Sequence, residues 1–479
     1  MESGNNLDVF LRPASVAVIG ASERKGSWGS FIMEGLRSWN YPGKIYPVNQ
    51  KMKEVFGIPA FSDIRDIPNS IDLAIVTIPE QSTEKVVASC GKKRVKGITL
   101  ITAGFSEVME EGRQRERALK DLAHSYGMRL LGPNVSGTFN IHAQFNAAAS
   151  PADHIIPTTI AAVTQGGYAF YDLLASGFPR GMGVGQFIHT GNECDLTITD
   201  FLEYFGHKPD VHAVIMYIET IRDGTRFIDV ARTTATTKPV VVYKAGNTPG
   251  GFRAAQSHTG ALAGRAEIFS GFLKQAGVIV SPTMELLLPL GHALVERPPM
   301  RGNRVAIITM GGSWGVALSD ALEKEGLQLP ELSTDVQNKL RSLGMPSRAS
   351  TKNPVDIGAS GLFISIEAIV AIGRAVLTSG EVDALILHGI GRPGMLGGNV
   401  PVEIRLMPPE LDRGIMKGYA HLESETGIPV VIGNLFTPWE SQAVHDVNEE
   451  GIRVVNRVDE TAQLLSLMHE YWNIKRTLR

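Results

Sequence analysis

Cysteine, long apolar runs and an excess of charge of one sign are all scarce in this sequence, and each shortage removes a class of function. The 479 residues hold two cysteines, Cys90 and Cys194. A disulfide-stapled secreted scaffold and a cysteine-rich metal site are thereby excluded. Lys and Arg number 46 against 49 Asp and Glu, for a net charge of −3. That balance offers no basic surface to a nucleic-acid polyanion. No uninterrupted apolar run reaches the ~20 residues that a membrane-spanning helix needs. The opening MESGNNLDVFLRP lacks the basic and then apolar segments of a secretory leader. The expectation is a cytoplasmic protein with neither nucleic acid nor membrane as a partner.

What the chain does contain is an ample core and many glycines. Hydrophobic residues make up 43% and charged residues 20%, with 51 Gly and 26 Pro. Most of the glycines follow apolar runs. Three segments share one design: VAVIGAS from Val16, IAAVTQGG from Ile160 and VAIITMGG from Val305, at nearly equal spacing. Each is a continuous apolar strand, then small residues, then a helical pattern. Unbroken apolar strands suit a parallel sheet covered on both faces. Strand, small-residue turn and helix together open a doubly wound α/β domain. The fold class is therefore α/β, with three such domains in tandem over 1–140, 151–296 and 303–479. Pro- and Gly-rich stretches at SPADHIIPT and ERPPMRGN supply the linkers.

The first glycine loop, GASERKGSWG, stands at a helix N-terminus, where free N–H groups favour anions. A nicotinamide dinucleotide fits it poorly. The fingerprint wants glycine at its first, third and sixth positions, and the chain has Gly20, Ser22 and Lys25 there. The second strand ends in Asn49-Gln50-Lys51 rather than in the acidic residue that holds ribose hydroxyls. A lysine at that point suits a phosphorylated ribose, such as the 3′-phosphate of coenzyme A. In the second domain, Thr164-Gln165-Gly166-Gly167 follows a strand and precedes a helix, so its amides suit a phosphate. His258 lies in QSHTGALAG, after a glycine-rich loop. Its small neighbours leave an imidazole accessible, as a phosphoryl-accepting nucleophile requires.

Taken in order, GAS, GKIYPVN, TIPE, ITAGFSE and GPN resemble the CoA-binding domain of ADP-forming acyl-CoA synthetases. That family is related to the succinyl-CoA synthetase α subunit. The resemblance implies a Rossmann-like CoA-binding domain followed by two flavodoxin-like domains. Gly20, Ala21, Ser22, Asn49, Lys51, Pro79 and Glu107 would form the CoA site, with Asn134 near the thiol end. SHTGALAG resembles the family's phosphohistidine motif, which makes His258 the phosphate carrier. Glu219, at the end of AVIMYIE, matches the carboxylate that holds the other ring nitrogen, with Glu193 in GNECDL as the alternative. Gln165, Gly166 and Gly167 would hold the phosphate. The family usually has serine where Gly166 stands. Tyr168, Phe170 and Tyr171 follow it here and are read either as acyl-pocket residues or as helix-packing aromatics.

The third domain, with VAIITMGGSWG and NPVDIG, resembles the remaining α-type domain. Thr309-Met310 replaces the usual Asn-Ala, and Trp314 enters the loop. Gly311 and Gly312 read as a tight strand-to-helix turn, and Asp356 as a cap or turn residue. Neither a nucleotide-binding P-loop nor a metal-carboxylate pattern is seen. The resemblance then implies an ATP-grasp β subunit that brings Mg-ATP or Mg-ADP, in an α2β2 assembly acting on a small carboxylic acid or its acyl-CoA. The rival functions are a catalytically silent CoA-binding regulatory subunit and a nicotinamide oxidoreductase.

Overall fold

The computed structural model describes residues 4–108, 110–149, 156–251, 253–254, 266–358, 365–393 and 409–478. The three apolar openings form the strands Ser15–Ile19, Ile160–Thr164 and Val305–Thr309, buried at every residue. That burial is why they carry no alternating polar positions. Each lies inside its own sheet, with a parallel strand on either side.

In the first sheet the order is Lys44–Val48, Ser15–Ile19, Leu73–Val76, Gly97–Leu100 and Arg129–Leu131, all parallel. Counted along the chain this is 2-1-3-4-5. The five parallel strands of the second sheet repeat it: Gln186–His189, Ile160–Thr164, Ala213–Ile218, Val240–Lys244 and Ile279–Val280. So does the third sheet: Val355–Asp356, Val305–Thr309, Ala384–His388, Val430–Gly433 and Val454–Val455. In this order the connections run to opposite faces on either side of the first strand. A crevice therefore opens beyond the carboxyl ends of the first and third strands, where open α/β sheets bind ligands.

The second sheet has an addition that periodicity does not reveal. Gly137–Asn140 pairs antiparallel with Gln186–His189, and Phe145–Ala148 pairs antiparallel with Gly137–Asn140. This hairpin follows the last strand of the first sheet yet forms the edge of the second. Helix Trp28–Ser38, capped by the Ser27 side chain on Ser30 N–H, packs against it. A Cβ on Gly35 would stand 2.8 Å from the Asn146 carbonyl oxygen, so glycine allows the approach. Trp39 meets Phe139 edge-on at 5.7 Å, and Tyr41 meets Phe145 at 5.5 Å. The first two sheets thus share one hydrophobic core, from Phe10 and Val18 to Val163 and Phe201.

The chain divides into two compact units, one holding the first two sheets and the other the third. The second unit has its own core around Ile308, Leu385 and Tyr419, with the Tyr419 hydroxyl donating to the Ile369 carbonyl at 3.0 Å. Asp356 is the last residue of its strand and holds the backbone that follows: its Oδ1 accepts the N–H of Gly358, 2.9 Å away. Trp314 lies against the His388 ring at 4.8 Å. Burial brings the His388 imidazole down to about 4, with Arg392 adding to the effect. The closing helix runs over Val458–Leu478. Among the described residues no helix is long and apolar enough to cross a membrane.

Candidate functional site

At the crevice of the first sheet, Gly20 follows its strand with φ +93°, and a Cβ there would lie 2.6 Å from Thr77 Oγ1. Only glycine fits both constraints. Asn49, at the end of the neighbouring strand, clamps two loops. Its Nδ2 donates to the Ala21 carbonyl at 2.8 Å, and its Oδ1 accepts the N–H groups of Lys51 and Met52. Ser22 similarly serves its own loop, accepting the N–H of Arg24. A cleft of about 540 Å3 opens here, lined among others by Gly20, Asn49, Lys51, Pro79, Arg65 and Lys85. Arg65 is paired with Asp63 at 2.8 Å. Lys51 and Lys85 are thus the lining cations to consider for a phosphate, and Lys85 is a residue the motifs do not single out.

Glu107 and Asn134 lie where the first two sheets meet. Glu107 Oε1 accepts the N–H groups of Gly104 and Phe105, and its other oxygen accepts from the Asn192 amide. Burial alone would raise this carboxyl, but the Gly104 and Asn192 bonds bring it below its ordinary range. Glu107 therefore organises the ITAGFSE loop and, like Ala21 and Ser22, lines neither cleft. Asn134 has φ +61° and donates from Nδ2 to Asn192 Oδ1 at 3.2 Å.

Asn134 also lines a second cleft of about 620 Å3, with Pro79, Trp28, Gln165, Gly167, Tyr168 and His189. This cleft joins the loops of the first sheet to the crevice of the second. Gln165 continues strand Ile160–Thr164 and turns its side chain toward the next strand. Its Oε1 accepts the N–H groups of Glu219 at 2.6 Å and Thr220 at 2.9 Å, while its Nε2 donates to the Thr220 carbonyl at 2.9 Å. The phosphate-loop candidate and the carboxylate candidate are thereby tied through one amide. Glu219 is buried, and its carboxylate accepts from the Tyr217 hydroxyl at 3.2 Å. Lys244, at the end of the adjacent strand, is held below the usual lysine range by burial, which Glu219 partly offsets.

The departure from serine at 166 has a local cause. A Cβ on Gly166 would lie 3.0 Å from the Tyr217 ring, and one on Gly167 would lie 2.6 Å from Ser136 Oγ. The aromatics that follow divide cleanly. Phe170 and Tyr171 are buried against Phe187, at 5.1 and 5.5 Å, and are packing residues. Tyr168 is 78% exposed and lines the second cleft.

Glu193 points inward. Its Oε1 accepts from Thr190 Oγ1 at 2.9 Å and from Ile198 N–H at 3.0 Å. Its Oε2 is buried without a hydrogen-bond donor, 3.8 Å from Arg222 Nε. Burial pushes this carboxyl up to about 7, against the pull of Arg222. His258 lies outside the described residues. Among the described residues no group of three or more His, Cys, Asp or Glu side chains could hold a metal ion.

Comparison with known proteins agrees with this architecture. Residues 14–139 match the CoA binding domain, 157–294 the succinyl-CoA ligase like flavodoxin domain, and 305–404 the ligase-CoA domain. The chain is 36% identical to the acetate–CoA ligase [ADP-forming] II subunit alpha of Pyrococcus furiosus, over 95% of this chain and 96% of that one. It is 32% identical to a trans-feruloyl-CoA synthase from an unidentified prokaryote, over 75% of this chain and 52% of that longer one. It superposes with a TM-score of 0.86 and 30% identity on the dinucleotide forming acetyl-coenzyme A synthetase 1 of Ca. Korarchaeum cryptofilum, solved with phosphate and ADP. That match covers 99% of this chain and 98% of the other. Three matching domains in one order, and identity sustained from end to end, mean that the chain belongs to the ADP-forming acyl-CoA synthetases, among chains of the α-subunit type.

Proposed function

We propose that this chain is the CoA-binding, phosphohistidine-carrying subunit of an acid–thiol ligase interconverting an acyl-CoA, ADP and phosphate with a carboxylic acid, CoA and ATP. The observation that carries this reading is the Gln165 amide, which binds the phosphate-loop candidate to Glu219 beside a cleft that reaches Asn134. In the ATP-forming direction, phosphate attacks the acyl carbon in the second cleft. The C–S bond breaks, and CoA leaves as the thiol. His258 then takes the phosphoryl group from the acyl phosphate and releases the carboxylate. Glu219 receives the ring N–H opposite the phosphorylated nitrogen and stabilises the charged imidazole. The amides of Gly166 and Gly167 receive the phosphate oxygens.

The residues of the first cleft fit CoA: Gly20 leaves the backbone open, and Lys51 and Lys85 offer charge to the 3′-phosphate. An ATP-grasp β chain would accept the phosphoryl group onto Mg-ADP, in an α2β2 assembly. The cytoplasm, where CoA and ADP are both at hand, is the compartment this reading implies.

The test uses this chain with labelled phosphate and a panel of acyl-CoAs, with His258→Asn alongside. Acid-labile, base-stable label on the wild type and none on the variant is the expected result, and the acyl-CoA that works reports the acid. Equal label on both proteins would overturn the assignment of His258.

A further inference from the structure

His189, at the end of strand Gln186–His189, belongs to no motif read from the sequence, yet its ring is wedged beneath the phosphate-loop candidate. It is 7% exposed. The Ser136 N–H donates to Nδ1 at 2.7 Å. A backbone N–H can only donate, so Nδ1 is the bare nitrogen and the ring proton sits on Nε2. Nε2 stands 2.9 Å from the Gln165 carbonyl oxygen, which accepts that proton's hydrogen bond. Ser136 is itself fixed: the Tyr171 hydroxyl shares its one proton between Ser136 Oγ at 3.1 Å and the Ser136 carbonyl at 3.2 Å, and that Oγ also lies 2.9 Å from His189 Nδ1.

This geometry orients a peptide. In a planar trans peptide the C=O and the following N–H point in opposite directions. With the Gln165 carbonyl held toward His189, the Gly166 N–H faces the other way. Strand Ile160–Thr164 lies between Gln186–His189 and Ala213–Ile218, so that other side is the one where Tyr217 and Glu219 stand. Gly167 rests on the same ring: a Cβ there would lie 2.9 Å from His189 Nδ1 and Cε1.

We infer that His189 is the positioning residue of the phosphate site: its neutral imidazole locks the Gln165–Gly166 peptide with the Gly166 amide turned to phosphate. It also couples that peptide, through Ser136, to the segment carrying Asn134. The inference rests on reading residues 165–167 as the phosphate cradle. A donor aimed before the anion arrives avoids reorganisation when charge develops.

Two substitutions separate the two bonds. His189→Asn places an oxygen where Nδ1 was, keeps the Ser136 bond and loses the bond to Gln165. His189→Gln reaches the Nε2 position with an amide donor and loses the Ser136 bond. Binding of inorganic phosphate to each full chain, followed by 31P NMR line broadening, reads the cradle without turnover. Asparagine should weaken phosphate about tenfold, one well-aimed hydrogen bond, and glutamine less than threefold. In the labelling assay asparagine should raise the half-saturating phosphate concentration by the same factor and leave that of the acyl-CoA within twofold. Equal phosphate affinity in the two variants, whether unchanged or equally lost, overturns the inference. Phosphate affinities that differ as expected while the wild type takes no label from any acyl-CoA would sustain the lock and count against the proposed reaction.

Discussion

Glutamine in place of Glu193 should leave the protein nearly unchanged in acid and make it more stable in mild base. The carboxyl is buried, with one oxygen bonded to Thr190 and Ile198 and the other lacking a donor. Burial pushes it from an ordinary 4.5 up to about 7. Between those values the folded chain holds a proton that the unfolded chain has released. Stability therefore falls as pH rises through this window, and the loss is complete above 7. The linkage relation puts the loss at about 1 kcal/mol at pH 5 and about 3 kcal/mol at pH 8. Glutamine keeps an oxygen for Thr190 and Ile198 and carries no titrating proton. Any fixed packing difference cancels between the two pH values, leaving about 2 kcal/mol of pH-dependent gain. In a unit of this size that corresponds to about 3 °C in the midpoint of thermal unfolding. The assay is the midpoint difference between variant and wild type, measured at pH 5 and at pH 8. A difference that stays constant with pH would refute a buried, near-neutral Glu193.

Two further outcomes follow from the clefts. Lys51→Ala and Lys85→Ala should each weaken CoA by about tenfold, the scale of one charge-assisted phosphate contact, and leave dephospho-CoA unaffected in titration calorimetry; equal losses for both ligands would remove the lysines from the 3′-phosphate. Tyr168→Ala should lower kcat/KM for aryl-acyl-CoA substrates about tenfold, the worth of one aromatic contact, and for acetyl-CoA less than threefold; a uniform loss would assign Tyr168 to the chemistry rather than to selectivity.

Much of the fold was legible because the three opening strands are buried on both faces and read as unbroken apolar runs. The hairpin at 137–148 was not. Its strands are four residues each, and its inward positions include Thr138, Asn140 and Asn146, so neither length nor apolarity marks it. The CoA-site motif places Gly20, Asn49, Lys51 and Pro79 around one cleft. The same motif did not reveal that Asn49 and Glu107 hold backbone together, because a motif records identity and not the direction a side chain takes. His189 stayed invisible for a related reason: the bonds that orient its ring go to the backbone N–H of Ser136 and the backbone carbonyl of Gln165, and backbone bonds leave no trace in residue type. The ambiguity at Tyr168, Phe170 and Tyr171 was resolved by which of the three face Phe187.

The hairpin also decides where this chain can be cut and rejoined. A chimera that takes its CoA-binding domain from one relative and the rest from another would naturally be spliced after residue 139, where the match to the CoA binding domain ends. The junction would then fall inside strand Gly137–Asn140 and separate most of it from its hairpin partner Phe145–Ala148. Strand Gln186–His189 would be paired with a foreign edge, and the foreign counterpart of helix Trp28–Ser38 would have to accept Asn146 at the Gly35 contact. Splicing after Ala148 keeps the hairpin with the helix it packs against, and puts the mismatch on a single strand–strand seam beside His189. Exchange of CoA-binding modules between such enzymes should succeed or fail on that seam.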